Sequence, residues 1–574
     1  MKKRILSVLL SLLLAFTLST PVLAADVSKT ENGFNNFAAK VLDKVMTGFS
    51  FAVNSLLKEG DNFVEKEDFV LDNFYEGTKE NLEKPAKKAV WSLGYDTTTL
   101  VPEDYLERGL FLGGFMTIEN GFVNSVTGKH DDMKVRTIAI SDGSGRGISV
   151  FATIDSIGMT NTDIRDIRGL LSEFAKENDI NSINIFTTHS HSGIDTQGLW
   201  TDGIKNIPKN LFSSLTRIGQ VGGGTDKEYM AFLSSQVKAS VENAVKNMKK
   251  GSMTFAQKEL DEKYFQNKNR QSASSLITDL TRFTFTPFDG STPTIIANMA
   301  AHPDVVGLPI LGDKEAGHYI SGDYVYYIGE TLNEAGYNFM FVGGAICGIC
   351  IGRELSGDGV ETEKRVEIPA RYRREIGRIL LALTMTEDEI RNDDFLSVTG
   401  DTEEEMANEN YTLWYKDWKP VKETDVEPLL NVNIKSVITP VTNNVIKLAA
   451  KLKLVNHTVI KDGKDYYVAT EIGVLDIGSH KVVLMPGEVC QDLVCGGSSL
   501  TAEGSIWGKE YEGKTVSDLF GEEVIVFGLA NDAVGYVVPD NDYALGIDFG
   551  HYHETLSLGK NTASFLISEY EELA

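Results

Sequence analysis

Cysteine is scarce in this chain, with four in 574 residues, and histidine is little commoner at nine. So few cysteines exclude a disulfide-dense scaffold, and a chain of this length must be held by a hydrophobic core. Beyond residue 24 no apolar run is long enough to span a bilayer. Positive charge is also short, 55 Lys and Arg against 82 Asp and Glu, for a formal net charge of −27. Nothing would neutralise a phosphate backbone, which excludes nucleic-acid binding. An acidic surface mainly favours solubility. Low-complexity tracts and internal repeats are absent as well.

What is present begins with a secretory signal over 1–24. Lys2-Lys3-Arg4 is its charged region, Ile5 to Leu18 its apolar stretch, and Val22-Leu23-Ala24 fits a cleavage site. Cleavage after Ala24 makes the mature chain about three units more negative. No cysteine follows the apolar stretch, which argues against a lipoprotein anchor. The expected product is exported and soluble, either periplasmic or extracellular. In an exported chain Cys347-x2-Cys350 and Cys490-x4-Cys495 read as disulfides with three possible connectivities, and a four-cysteine structural zinc is the alternative.

Residues 25–89 read as a helical N-terminal extension. Phe34, Phe37, Ala38, Val41, Leu42, Val45, Met46 and Phe49 mark one face of a helix over 32–57, and a weaker helical pattern covers 66–88. The helix is expected to pack on the main domain, with a lid or lipid-interface role as the alternative. From about Val90 to the C-terminus strands and helices alternate. Strands are expected at 135–140, 148–154, 183–186, 295–299, 338–342, 482–485 and 524–527, with helices at 161–177, 226–250, 323–334 and 361–385. The fold class is therefore α/β, with mixed sheets and flanking helices in a single large catalytic domain. The acidic stretch 400–426 reads as a surface insertion.

Four of these strands run directly into polar, chemistry-bearing turns. The strand ending at Phe186 leads to Thr188-His189-Ser190-His191-Ser192-Gly193, and the one ending at Met299 leads to Ala301-His302-Pro303. Val482 to Met485 leads to Pro486-Gly487-Glu488, and Val524 to Phe527 leads to Asn531 and Tyr536. Two imidazoles, a carboxylate and a phenol at strand ends are ligand chemistry for a catalytic zinc, which takes nitrogen and oxygen donors and keeps a position for water. Taken singly, each residue has a plainer reading: a core histidine, a helix-opening carboxylate, a buried aromatic.

The ordered set resembles the neutral ceramidase family of zinc amidases. The family's T-H-T-H-S-G is met by Thr188 to Gly193, its A-x-H-P by Ala300 to Pro303, its P-G-E by Pro486 to Glu488, and its G-L-x-N followed by Tyr by Gly528 to Asn531 and Tyr536. Weaker echoes are Asn269-Arg270, Ile320 to Asp323 and His551 to Gly559. The resemblance implies Zn2+ bound by His189, His302, Glu488 and Tyr536. It implies His191 as acid/base or transition-state stabiliser and Arg270 as a contact to the polar part of the substrate. The implied reaction is cleavage of the N-acyl bond of ceramide or a related N-acyl lipid to fatty acid and amine, with peripheral membrane contact as a corollary.

Two departures stand out. Where the family has G-D-x-S-P, this chain has Cys347-Gly348-Ile349-Cys350, so Cys350 replaces the serine and Gly348 the aspartate. Cys350 is then either a nucleophile or, as favoured for an exported chain, half of a disulfide. The immunoglobulin-like domain that follows in longer members is not expected after Ala574. Two further readings are a zinc hydrolase of another amide or ester, and a non-catalytic secreted binding protein that keeps the fold.

Overall fold

The computed structural model describes residues 32–114, 124–203, 205–216, 221–267, 275–304, 318–351, 370–398, 413–546 and 551–574. Two large mixed sheets dominate it. The first has nine strands, in the order Asn338–Gly343, Thr294–Met299, Asp279–Pro287, Lys249–Glu259, Trp91–Thr99, Lys134–Ser141, Ile148–Ile154 and Ile180–Thr187, with Thr424–Val426 added beside Lys249–Glu259. The second has six, in the order Phe63–Glu65, Val459–Asp462, Asp465–Ile477, His480–Leu484 and Ile525–Phe527, with Leu430–Val441 also on Asp465–Ile477.

The two sheets share one apolar cluster. Ile138, Phe186, Phe283 and Val342 from the first pack with Val432, Leu475, Val482 and Phe527 from the second. Fully burying side chains of this size stabilises by about 1.5–3 kcal/mol each. The first sheet's other face is covered at one end by Asn161–Leu170 and Lys227–Lys246, through Ile164, Ile167, Leu233 and Val237. At the other end Asp323–Glu334 and Ala370–Ala382 cover it. Thr562–Tyr570 packs on the outer face of the second sheet. The result is a helix–sheet–sheet–helix stack. A strand buried on both faces reads as a continuous apolar run, as Val482–Leu484 does; in Ile183–Phe186 the run is interrupted by Asn184, whose side chain is buried and bonded to Asn531.

The N-terminal helix spans Asn32–Asn54. Met46 enters the core under the second sheet, while Val53 and Leu57 meet Leu211 and Leu452. The helix expected over 66–88 does not form. That segment spends its backbone hydrogen bonds on the second sheet instead: Lys66 N to Lys461 O, Thr78 N to Val432 O, and Ile434 N to Glu76 O. Edge pairing outcompetes a weak helical pattern that also carries Gly77 and Pro85. The helix expected over 161–177 breaks into Asn161–Leu170 and Ser172–Glu177. In the acidic stretch, 399–412 lies outside the described residues; of the remainder, 416–425 is largely at the surface, as expected, but it is anchored at both ends. Trp414 and Tyr415 are buried in the core, and Thr424–Val426 is a sheet strand. The signal segment 1–24 lies outside the described residues.

Candidate metal centre

The sheets bring the four strand ends to one place. His480–Leu484 and Ile525–Phe527 pair in parallel, so the turns after them emerge side by side. Beyond those turns Glu488 and Val489 pair with Tyr536 and Val537, again in parallel, with Glu488 opposite Tyr536. The first sheet is joined to this pair by Asn531. Its Oδ1 accepts from Ile185 N at 2.9 Å, its own N–H donates to Ile185 O at 2.8 Å, and its Nδ2 donates to Asn184 Oδ1 at 3.0 Å. Asn531 has φ 58°, a left-handed conformation that asparagine tolerates.

His189 follows Ile180–Thr187 with φ 67°, a rare conformation for a residue with a Cβ, and this sharp turn re-aims the chain at the strand end. His191 N–H donates to Pro303 O at 3.0 Å, which draws the two histidine segments together. Ser190 Oγ donates to Ser321 O, and Ser321 N–H returns to Ser192 O, both at 3.0 Å. The Ile320 to Asp323 echo is thus a brace for the first histidine turn. Gly114, at φ 117°, sits against His191 so closely that a Cβ there would lie 2.6 Å from its Cα and 2.7 Å from its Cγ.

The cluster itself is buried. Glu488 Oε2 lies 2.9 Å from His302 Nε2 and 3.4 Å from His189 Nε2. His189 Nδ1 is bonded to Ile157 O at 2.7 Å, and His302 Nδ1 to Ile349 O at 2.9 Å. With each Nδ1 committed to a carbonyl, both Nε2 atoms are left to converge on the carboxylate. That outer-shell arrangement fixes the tautomer of metal-ligating histidines. The His191 ring stands edge-on to both others, its centroid 4.9 Å from that of His189 and 5.5 Å from that of His302. Donor atoms of His189, His191 and His302 lie within 4.8 Å of one another, the one such metal-capable group among the described residues. Geometry therefore offers two donor sets, with either Glu488 or His191 as the third member. Two neutral imidazoles and a carboxylate fit a divalent zinc-like ion.

Burial disfavours charge on His189 and pushes it down to about 4, despite Glu488. Burial also opposes charge on His302, but its hydrogen bond to Glu488 and that carboxylate's charge prevail, so His302 is raised. The opposite signs follow from contact length, since the 2.9 Å partner takes the proton. Burial would raise Glu488, yet His189, His302 and His553 together hold it below the ordinary carboxylate range. Below the raised His302 value a metal competes with a proton on that imidazole, whereas His189 offers no such competition until far lower pH. Apparent zinc affinity should fall about tenfold per pH unit once pH drops below the raised His302 value, with a second proton entering only toward about pH 4. Competition with a colorimetric zinc indicator in stepped buffers checks this, and a flat response between about pH 5 and about pH 7 would remove His302 from the ligand set.

Tyr536 is buried beside Glu488, and burial first, then that carboxylate, raises its phenol far above the ordinary value. It hydrogen-bonds Tyr552, whose ring stacks on His553 at 3.9 Å between centroids. Tyr552 and His553 complete the wall, and only the weak 551–559 echo pointed toward them. Cys350 is placed by a backbone bridge to His302. Arg270 lies outside the described residues.

The class defined so far is a two-sheet α/β protein with a buried histidine–carboxylate centre at converging strand ends. Its fold is that of the neutral ceramidases. The chain superposes on the neutral ceramidase from Pseudomonas aeruginosa with a TM-score of 0.54 at 14% identity, covering 85% of this chain and 74% of that one. A ceramidase structure described as complexed with C2 gives 0.53 at 13% identity, covering 84% and 74%. No family model and no curated protein matches the sequence.

Proposed function

We propose that this chain is an exported zinc-dependent amidase that cleaves the N-acyl bond of ceramide or a related N-acyl lipid. The observation that carries the reading is the convergence of His189 and His302 Nε2 on Glu488, on the fold of a neutral ceramidase. The ligand set is His189, His302 and Glu488, with Tyr536 beside it. Zinc held there would polarise an acyl carbonyl and lower the pKa of a water to about 7.

The chain's own groups supply the rest. Ile157 O and Ile349 O hold the two imidazoles in the ligating tautomer. His191, whose ring stands beside those of His189 and His302, is the group placed to hand a proton to the departing amine. The phenol of Tyr552, which accepts from Tyr536 and keeps its own proton, is a donor for negative charge developing on the acyl oxygen. Cys350, at the position of the family's serine, lines the wall next to His302. Val41 and Val45, one turn apart, stay exposed on the N-terminal helix, on the face that peripheral contact with a lipid surface would use.

The direct test is fatty-acid release from a short-chain fluorescent ceramide, before and after chelation, alongside the zinc content of the purified chain. Release that stops on chelation and returns with zinc is expected. Bound zinc without release would redirect the search to other amides and esters, and failure to bind zinc would favour a non-catalytic binding protein. His191→Ala separates the two donor sets. It should keep one zinc per chain and lose about 10²–10⁴-fold in turnover, as for loss of a general acid. Loss of zinc from that variant would make His191 a ligand.

A further inference from the structure

The four cysteines do not group by sequence proximity. Cys347 and Cys490, 143 residues apart, lie with their sulfurs at 2.9 Å, both buried. Their backbones are already joined: Cys347 N–H donates to Val489 O at 3.3 Å, and Gln491 Nε2 donates to Ala345 O at 3.0 Å. Cys495 belongs elsewhere, exposed and turned to Gln491 O at 3.4 Å. Cys350 sits in the short strand Ile349–Ile351, paired with Phe265–Asn267, and lies near the Tyr552 hydroxyl.

We infer that Cys347 and Cys490 form a disulfide that braces the metal centre, while Cys350 and Cys495 remain thiols. Cys490 is two residues beyond Glu488, and Cys347 is two residues before Ile349, whose carbonyl orients His302. One covalent bond therefore couples a ligand to the outer shell of another. The oxidant is a protein or small-molecule disulfide of an oxidising compartment. A thiolate of the pair attacks it, forming a mixed disulfide and releasing one thiol. The second cysteine then attacks the mixed disulfide and releases the other thiol, so both electrons and both protons leave with the reduced carrier. Because both sulfurs are buried, the exchange takes place during folding.

The bond is tested on the full chain produced by export to a bacterial periplasm, alkylated in denaturant and mapped by mass spectrometry without reduction. The expected result is a linked peptide pair carrying Cys347 and Cys490, with Cys350 and Cys495 alkylated. Alkylation of both Cys347 and Cys490, or linkage of either to Cys350 or Cys495, would overturn the assignment. This mapping needs no metal, so its failure is distinct from failure of the amidase reading. The brace is tested with the Cys347→Ser/Cys490→Ser double variant, whose zinc should transfer to a chelator about tenfold faster, the scale for loss of outer-shell support. An unchanged transfer rate in a folded variant would leave the bond but refute the brace.

Discussion

His189→Ala is expected to strip the protein of zinc and of hydrolytic activity together. The imidazole supplies one of two Nε2 atoms that meet on Glu488 Oε2, and its other nitrogen is committed to Ile157 O. Alanine leaves His302 and Glu488 as a two-donor remnant, too few for a catalytic zinc, which takes three protein ligands. A metal that stabilises transition-state charge is worth several kcal/mol. At about 1.4 kcal/mol per decade, turnover should fall at least about 10³-fold. Folding should survive, because the lost contacts are polar and lie at the end of the sheets rather than within the shared core. The check combines zinc content by atomic spectroscopy, circular dichroism and amide turnover. A folded variant with full zinc and full activity would refute the proposed centre.

The second large effect concerns stability. Asn531→Ala should cost about 3–7 kcal/mol, read as a lower urea midpoint at unchanged slope. Two contributions add. Removing the amide side chain leaves Ile185 N and Asn184 Oδ1 buried without their present partner, at about 1–3 kcal/mol each. Alanine also tolerates φ 58° less well than asparagine, by about 1 kcal/mol. Asn531→Gly provides the control. It loses the same side-chain bonds but not the backbone compatibility, so it should be the more stable of the two variants. A loss below about 1 kcal/mol for alanine would mean that the two sheets are not joined through this side chain.

Much of the scaffold was legible because its signals are local. Apolar runs at 183–186, 295–299, 482–485 and 524–527 are strands within a residue or three of their expected bounds. Each is buried on both sides, and burial on both sides writes itself into consecutive residues. The turns after them carry their histidines, carboxylate and tyrosine for the same reason, since the end of a buried strand is where polar groups can face a shared cleft. Segments whose structure depends on a distant partner were not legible. Residues 66–88 form no helix because the edge of the second sheet takes their hydrogen bonds. The 413–426 stretch is anchored by Trp414 and Tyr415 in a core built from other elements.

By itself the sequence determined the α/β class, the order of the strands along the chain, and the residue types waiting at their ends. Only the tertiary structure decided which of those ends meet. The contact of His302 with Glu488 spans 186 residues and that of Cys347 with Cys490 spans 143. Asn531 looked like one letter of a motif, yet its amide ties one sheet to the other. Tyr552 and His553 join the site through ring contacts with Tyr536. The physical reason is that periodicity reports which face of an element is buried, whereas pairing across the fold is set by the joint packing of two sheets and is not written in any single stretch of chain.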